Sequence, residues 1–347
     1  FLKCPFIHCL FDSTLCVCVQ TRGRPRKQVT LRAKYSTQMA SPNSSTGTLL
    51  WDILAADEFD GERARAWTSD NWMWFAQVTT AYVVVIFGGR HVMSQRPPFL
   101  LQTPLALWNL ALAAFSIAGA AFTLAEFASI VRNEGVQASY CRDGELMRGR
   151  TGWWVFVFVL SKVAEFGDTV FIVLRKKPLI FLHWYHHIVT LMYGVTVYPS
   201  GVAIIRWGTA INYAVHAIMY SYYFARAMNW RMPSPLARAI TTIQIAQFVI
   251  CVVGMSHLAY EMAIIENFEC NIDSTNLFYG FAMYASYLVL FVRFFLNAYV
   301  WRRAKPAANN KIAKGVQFAE LSEEPSEETN CGGSTEEVKK RSSTKTE

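Results

Sequence analysis

The feature that most constrains this chain is a series of long apolar runs with ionisable or amide side chains near their middles. Seven such runs lie near 71–88, 103–125, 153–174, 179–198, 201–225, 237–260 and 277–300. Each approaches the roughly 20 residues that cross a bilayer core of about 30 Å. Both chain ends are polar, so a 53% hydrophobic composition understates how apolar the middle is. The reading is an all-α, polytopic membrane protein with about seven transmembrane helices. Polar groups are costly inside a membrane, so those within the runs mark function.

Four segments follow. Residues 1–38 begin at Phe1, hold half the cysteines and are basic; Met39 resembles a translation start. They read as an upstream extension or a targeting segment and are set aside. Residues 39–70 are a polar N-terminal segment, 71–301 the membrane domain, and 302–347 a Ser-, Thr-, Glu- and Lys-rich tail expected to be disordered.

Basic residues follow the odd-numbered runs: Arg90 and Arg96; Arg175, Lys176 and Lys177; Arg226, Arg231 and Arg238; Arg302, Arg303 and Lys305. The connection after the sixth run holds Glu261, Glu266, Glu269 and Asp273 and no base. Because Lys and Arg collect on the cytoplasmic side, the C-terminus is expected in the cytosol and the N-terminus across the membrane. Cys141 and Cys270 then fall in the two longest non-cytosolic connections, where disulfides persist, and a bridge between them is predicted. Asn43-Ser44-Ser45 on the same side is a glycosylation sequon, a weak signal in so short a motif.

Four runs carry polar sets: Lys162, Glu165, Asp168 and Thr169; His183, His186 and His187; Asn212, His216, Tyr220, Tyr222 and Tyr223; Thr241, Gln244 and Gln247. Spacings of three and four put each set largely on one helix face. At 1.5 Å per residue, His183 and His187 lie about 6 and 12 Å from the basic ends of their run, and Asp168 and Glu165 about 10 and 15 Å. His216 lies at about 15 Å, and Gln244 and Gln247 at about 10 and 15 Å. Four antiparallel runs therefore bring their polar groups to one depth, which reads as one site opening to the cytosol.

Several chemistries use such a site. HxxHH resembles the boxes of membrane di-iron desaturases, which need about eight histidines. This chain has seven, with His8, His91 and His257 away from the cluster. A single zinc with a vacant position stays open, as does a purely structural hydrogen-bond network. Acyl transfer fits better, because a neutral imidazole is a nucleophile and general base near pH 7 and a dry site protects an activated acyl group. Cys251, deep in the sixth run, is a rival nucleophile, read here as core packing.

Lys162-x-x-Glu165-x-x-Asp168-Thr169, His183-Trp184-Tyr185-His186-His187, Asn212-x-x-Val215-His216-x-x-Met219-Tyr220-x-Tyr222-Tyr223 and Thr241-x-x-Gln244-x-x-Gln247 resemble the signature blocks of the ELO fatty-acid elongases, in their order and spacing, over roughly 71–301. The resemblance implies seven helices, six of them a barrel around an acyl tunnel, in the endoplasmic reticulum. It implies condensation of malonyl-CoA with a long-chain acyl-CoA to a 3-oxoacyl-CoA two carbons longer, with loss of CO2 and CoA.

The resemblance suggests His186 as nucleophile through an acyl-imidazole, His216 as stabiliser of the malonyl-derived enolate, and His183 and His187 as proton carriers. Asp168 and Glu165 would fix tautomers and Lys162 would balance charge. Asn212, Tyr220, Tyr223, Gln244 and Gln247 are candidate substrate-binding residues. Arg293, about 12 Å inside the last run, is the candidate for CoA phosphates. No cofactor and no metal are expected. Expected partners are the two acyl-CoA substrates and the lipid bilayer, with other enzymes of the elongation cycle and a second copy of the chain as candidates, and no nucleic acid. Trp184-Tyr185 resembles members acting on saturated and monounsaturated chains. Lys345 is third from the end but follows Ser343 and Thr344, so the di-lysine retrieval signal of many members is incomplete. A seven-span receptor or a zinc-dependent membrane hydrolase would share the topology, but neither would depend on malonyl-CoA.

Overall fold

A computed structural model describes residues 50, 52–54, 58–265, 268, 270–272 and 274–301. The segment 1–38, the sequon, the tail from 302, and Glu266, Glu269 and Asp273 lie outside the described residues. Among the described residues every regular element is helical: α1 (Gly61–Asp70), α2 (Trp72–Ser94), α3 (Gln102–Glu134), α4 (Val136–Cys141), α5 (Gly149–Ala164), α6 (Phe166–Leu174), α7 (Phe181–Val197), α8 (Ile205–Ala227), α9 (Ser234–Ile264) and α10 (Ser274–Phe295), which runs on into a π-helical turn, Leu296–Val300.

Each apolar run of the sequence is helical, and four helices are long and apolar enough to cross a membrane: Trp72–Ser94, Gln102–Glu134, Pro235–Ile264 and Ser274–Val300. The other runs are those that carry most of the polar motifs. The third is split into α5 and α6, α7 has only 17 residues, and α8 carries Arg206 and Arg226 within its 23. Polar and charged side chains dilute the elements on which they sit.

The helices pack in a defined order. α3 lies along α8 in the most extensive pairing, α8 meets α9, α9 lies along α10, α10 meets α7, α7 meets α5, and α5 meets α3. α2 packs on α6 and α7. The α3–α8 approach depends on Gly119, where a Cβ would overlap the Tyr213 ring.

The two ends of the bundle differ in chemistry. At one end the connections are basic. Here the Phe99 N–H donates to the Leu174 carbonyl at 3.0 Å, Gln102 Nε2 to that of Ala227 at 3.0 Å, and Lys176 Nζ to that of Arg96 at 3.1 Å. At the other end Cys141 and Cys270 form a disulfide across 129 residues. The Asn271 N–H donates to the Cys141 carbonyl at 3.0 Å, and its side chain to that of Gly201 at 3.1 Å. α1 is secured there too. Asp60 caps it by accepting from the N–H groups of Glu62 and Arg63, and Arg65 Nε donates to the Pro199 carbonyl at 3.0 Å.

Arg206 is the centre of the disulfide end. Its side chain is 1% exposed, yet all five N–H donors of the guanidinium are used. They reach both oxygens of Glu126 and the carbonyls of Ser139, Arg142 and Asp143. Beside it the Tyr140 hydroxyl meets Glu261 Oε2 at 2.9 Å and His257 Nδ1 at 3.0 Å. Burial, and then the Glu261 carboxylate, push that phenol above its ordinary range.

Candidate active site

The polar residues of the basic half converge on one cavity of about 80 Å³. Its wall includes Glu165, Asp168, His183, His186, His187, Asn212, His216, Tyr220, Tyr223, Gln244 and Gln247, with Ile172, Leu182, Val215, Met219, Phe248 and Phe291 supplying apolar surface. α6, α7, α8, α9 and α10 all contribute. The common depth read from helix rise is thus a common place.

The third apolar run reads in sequence as one continuous helix with a single polar face. The structure breaks it at Glu165, between α5 and α6, where the Asp168 N–H turns tightly onto the Glu165 carbonyl at 3.1 Å. The break sends its four polar residues in different directions. Lys162 Nζ donates to Glu165 Oε1 at 2.7 Å and to the side-chain oxygen of Asn212, Oδ1, at 3.1 Å, a buried ion pair facing α8. Asp168 accepts from Trp108 Nε1 at 2.6 Å and from the Tyr220 hydroxyl at 2.8 Å. Thr169 turns to α2 and α7, pairing its Oγ1 with the Tyr82 hydroxyl at 2.8 Å and His183 Nε2 at 2.9 Å. Gly167 makes the Asp168 contact feasible, because a Cβ there would lie 2.7 Å from the Trp108 ring.

These partners show what each carboxylate touches. Both donors on Asp168 come from Trp108 and Tyr220, and neither is an imidazole. Glu165 Oε1 lies 3.7 Å from His216 Nδ1, beyond hydrogen-bond range. His183 Nε2 is bonded to a threonine hydroxyl.

The histidines pack ring to ring. His183 and His187 have centroids 4.6 Å apart, and His186 and His187 5.4 Å. His186 lies against the Tyr287 ring at 4.9 Å, and the Tyr287 hydroxyl meets the His186 carbonyl at 3.2 Å and Thr190 Oγ1 at 2.9 Å. α10 thereby fixes the register of α7. His216 stands over Tyr220 at 5.3 Å. Gln244 Nε2 is satisfied by the Met219 sulfur at 3.1 Å. Two buried acceptors on cavity-lining residues, Glu165 Oε2 and Gln247 Oε1, have no hydrogen-bond partner among the described residues. Among the described residues no set of three His, Cys, Asp or Glu side chains is arranged to hold a metal ion.

Some expected residues are elsewhere. Arg293 is exposed and absent from the cavity wall. Phe291 takes the inward position on α10, and two residues further on is about 200° around the helix. Lys162 stands behind Glu165, and Tyr222 and Thr241 are buried outside the lining. Cys251 is a buried free thiol away from the cavity wall. Conversely, Trp108 and Asn109 of α3, Tyr82 of α2 and Tyr287 of α10 belong to the site or its support and were not picked out. A signal existed for two of them: Trp108 and Asn109 lie about 10 Å from the start of α3 by helix rise, the depth of the other polar groups.

The comparisons with known proteins agree with this arrangement. The model of the ELO family, GNS1/SUR4, matches residues 67–307. The chain is 43% identical to long chain fatty acid elongase 1 of Caenorhabditis elegans over 247 residues, 71% of this chain and 85% of that protein. It is 42% identical to human very long chain fatty acid elongase 6 over 249 residues, 72% of this chain and 92% of that protein, and 39% identical to very long chain fatty acid elongase 6 of Drosophila melanogaster over 246 residues, 70% and 78%. A cavity built from the four motif blocks and a family match across the whole bundle lead to one statement: the chain belongs to the ELO (GNS1/SUR4) family.

Proposed function

We propose that this protein is a fatty acid elongase that condenses malonyl-CoA with a long-chain acyl-CoA, giving a 3-oxoacyl-CoA two carbons longer, CO2 and free CoA. The observation that carries the reading is the cavity itself. Four histidines share one wall with two carboxylates and four amides, beside apolar surface suited to an acyl chain. The relatives named above are all fatty acid elongases.

In this reading α3, α5 with α6, α7, α8, α9 and α10 form a six-membered barrel around the acyl tunnel, α2 packs outside it, and all seven rods cross the endoplasmic reticulum membrane. The order of helix packing supports it. The basic end faces the cytosol, as the placement of Arg and Lys implies, and the disulfide end faces the oxidising lumen. Soluble CoA enters at the basic end.

His186 attacks the thioester carbon through its unprotonated ring nitrogen. The C–S bond breaks, an acyl-imidazole forms, and the imidazole proton leaves with the CoA thiolate as free thiol. Malonyl-CoA then loses CO2, and the electron pair of the broken C–C bond becomes an enolate held by donors of the wall, His216 first among them. The enolate carbon attacks the acyl-imidazole carbon and the C–N bond breaks. A proton taken up from solvent restores the neutral imidazole. Asp168, held by Trp108 and Tyr220, fixes α6 against α3 and α8. The Lys162–Glu165 pair does the same against Asn212.

The deciding experiment is incorporation of labelled malonyl-CoA into 3-oxoacyl product by the purified protein, across a panel of acyl-CoAs. Product formed without added metal and undiminished by a chelator is expected. Folded protein that makes none with any acyl-CoA would sink the reading.

A further inference from the structure

The hydrogen-bond chain from Tyr82 through Thr169 to His183 is fully buried. Tyr82 is 5% exposed, Thr169 0% and His183 8%. Its links are 2.8 and 2.9 Å long. Its outer member sits on α2, which packs on α6 and α7, and Tyr82 is held there by stacking on Phe166 at 4.0 Å.

Counting protons gives the chain a direction. A phenol and an alcohol have one proton each, and a buried hydroxyl proton without an acceptor costs about 1–3 kcal/mol. Among the described residues the Tyr82 hydroxyl has one hydrogen-bond partner, Thr169 Oγ1. If Thr169 donated to Tyr82, the phenol proton would have no acceptor, so Tyr82 donates. Thr169 Oγ1 has His183 Nε2 as its other partner. If that nitrogen carried a proton, the threonine proton in turn would be stranded. Thr169 therefore donates to Nε2, and Nε2 accepts.

We propose that Thr169, oriented by the Tyr82 hydroxyl behind it, is a positioning residue that holds His183 in the tautomer protonated at Nδ1, with the ring fixed against His187. Nothing in the motif blocks assigns Tyr82, which lies more than 75 residues before the first of them. The site thus depends on a helix that contributes no residue to the cavity wall. A dead-end chain of this kind cannot deliver protons from water. It sets which nitrogen of His183 holds one, and so whether the ring takes or gives a proton at a given face. The consequence for turnover rests on the condensing reaction proposed above; the tautomer does not.

The test uses nitrogen-15 histidine-labelled full-length protein in detergent, with Tyr82→Phe, Thr169→Val and Thr169→Ser variants. Tyr82→Phe keeps the ring stacked on Phe166 and removes one oxygen. In the parent and in Thr169→Ser, His183 is expected to show the shift pattern of a ring protonated at Nδ1. In Thr169→Val it is expected to move toward the Nε2-protonated form or a mixture, whereas in Tyr82→Phe, where Thr169 keeps Nε2 as its one acceptor, the pattern of the parent should persist. Condensing activity of Thr169→Val should fall about tenfold or more in kcat with little change in KM for acyl-CoA, the loss seen when the outer partner of a metal-bound imidazole is removed, and Thr169→Ser should restore it. An unchanged His183 tautomer in Thr169→Val overturns the proposal whatever the activity. A changed tautomer in a protein that never condenses malonyl-CoA leaves the positioning intact and removes the reaction instead.

Discussion

Two buried ion pairs, one in each half of the bundle, treat their polar atoms in opposite ways. At the disulfide end, Arg206 and Glu126 are a buried ion pair whose guanidinium uses every donor on protein acceptors. In the basic half the Lys162–Glu165 pair is as deeply buried, yet Glu165 Oε2 and Gln247 Oε1 have no partner. Burial of charge alone does not distinguish a structural group from a working one. Satisfaction separates these two pairs: the Arg206 network closes on protein acceptors, and the Lys162–Glu165 pair leaves an acceptor open beside a cavity.

The strongest way to break this contrast is to remove chemistry from the open half while leaving the fold. His186→Ala should lower labelled malonyl-CoA incorporation by at least about a thousandfold, the scale of losing a covalent nucleophile, with an unchanged melting temperature in detergent. Near-normal turnover would take the nucleophile's role from His186. The closed half should respond the other way. Arg206→Ala leaves Glu126 and three carbonyls buried without their donor, a loss on the order of 3–5 kcal/mol. Arg206→Met combined with Glu126→Leu should recover part of it, because no lone charge remains. Thermal unfolding of the three proteins tests the claim, and a double variant less stable than Arg206→Ala would refute it.

Much of the open half was legible because its residues recur at helical spacing and at one depth. His183, His186, His187, His216, Gln244 and Gln247 all line the cavity that their positions implied. The direction of each side chain was not legible where the backbone departs from a straight helix. The break at Glu165 turns Lys162, Asp168 and Thr169 onto three different neighbours, and no periodicity foretells that. Depth along a helix likewise does not give azimuth: Arg293 is exposed on α10, and Phe291 faces the cavity. The closed half was legible only in its cysteines. Arg206 and Glu126 lie 80 residues apart on two different helices, and sequence spacing cannot join them.

The disulfide offers a smaller effect on the same closed half. Cys141→Ser should lower stability by about 2–4 kcal/mol, since the bridge spans 129 residues and restricts the unfolded chain. The folded fraction should keep its condensing rate. A specific fall in kcat without loss of stability would mean that the two ends of the bundle are coupled, and would weaken their separation into holding and working halves.

The smallest effect on the fold, and the sharpest on the contrast, comes from Gln247. Its Oε1 is buried at the cavity with no protein partner, so a change to Leu leaves no donor stranded there. A substitution that replaces an unpaired buried oxygen with a methyl of similar shape is neutral or slightly stabilising. Gln247→Leu should therefore melt no lower than the parent. If the oxygen is kept for a donor on the substrate, KM for one of the two CoA substrates should rise by about tenfold, the weight of one hydrogen bond of about 1.4 kcal/mol, while kcat changes less. Titrating acyl-CoA and malonyl-CoA separately identifies which of them it holds. A variant with both KM values unchanged and a lower melting temperature would place Gln247 with the holding groups, and would show that an unsatisfied acceptor beside this cavity is no guide to substrate.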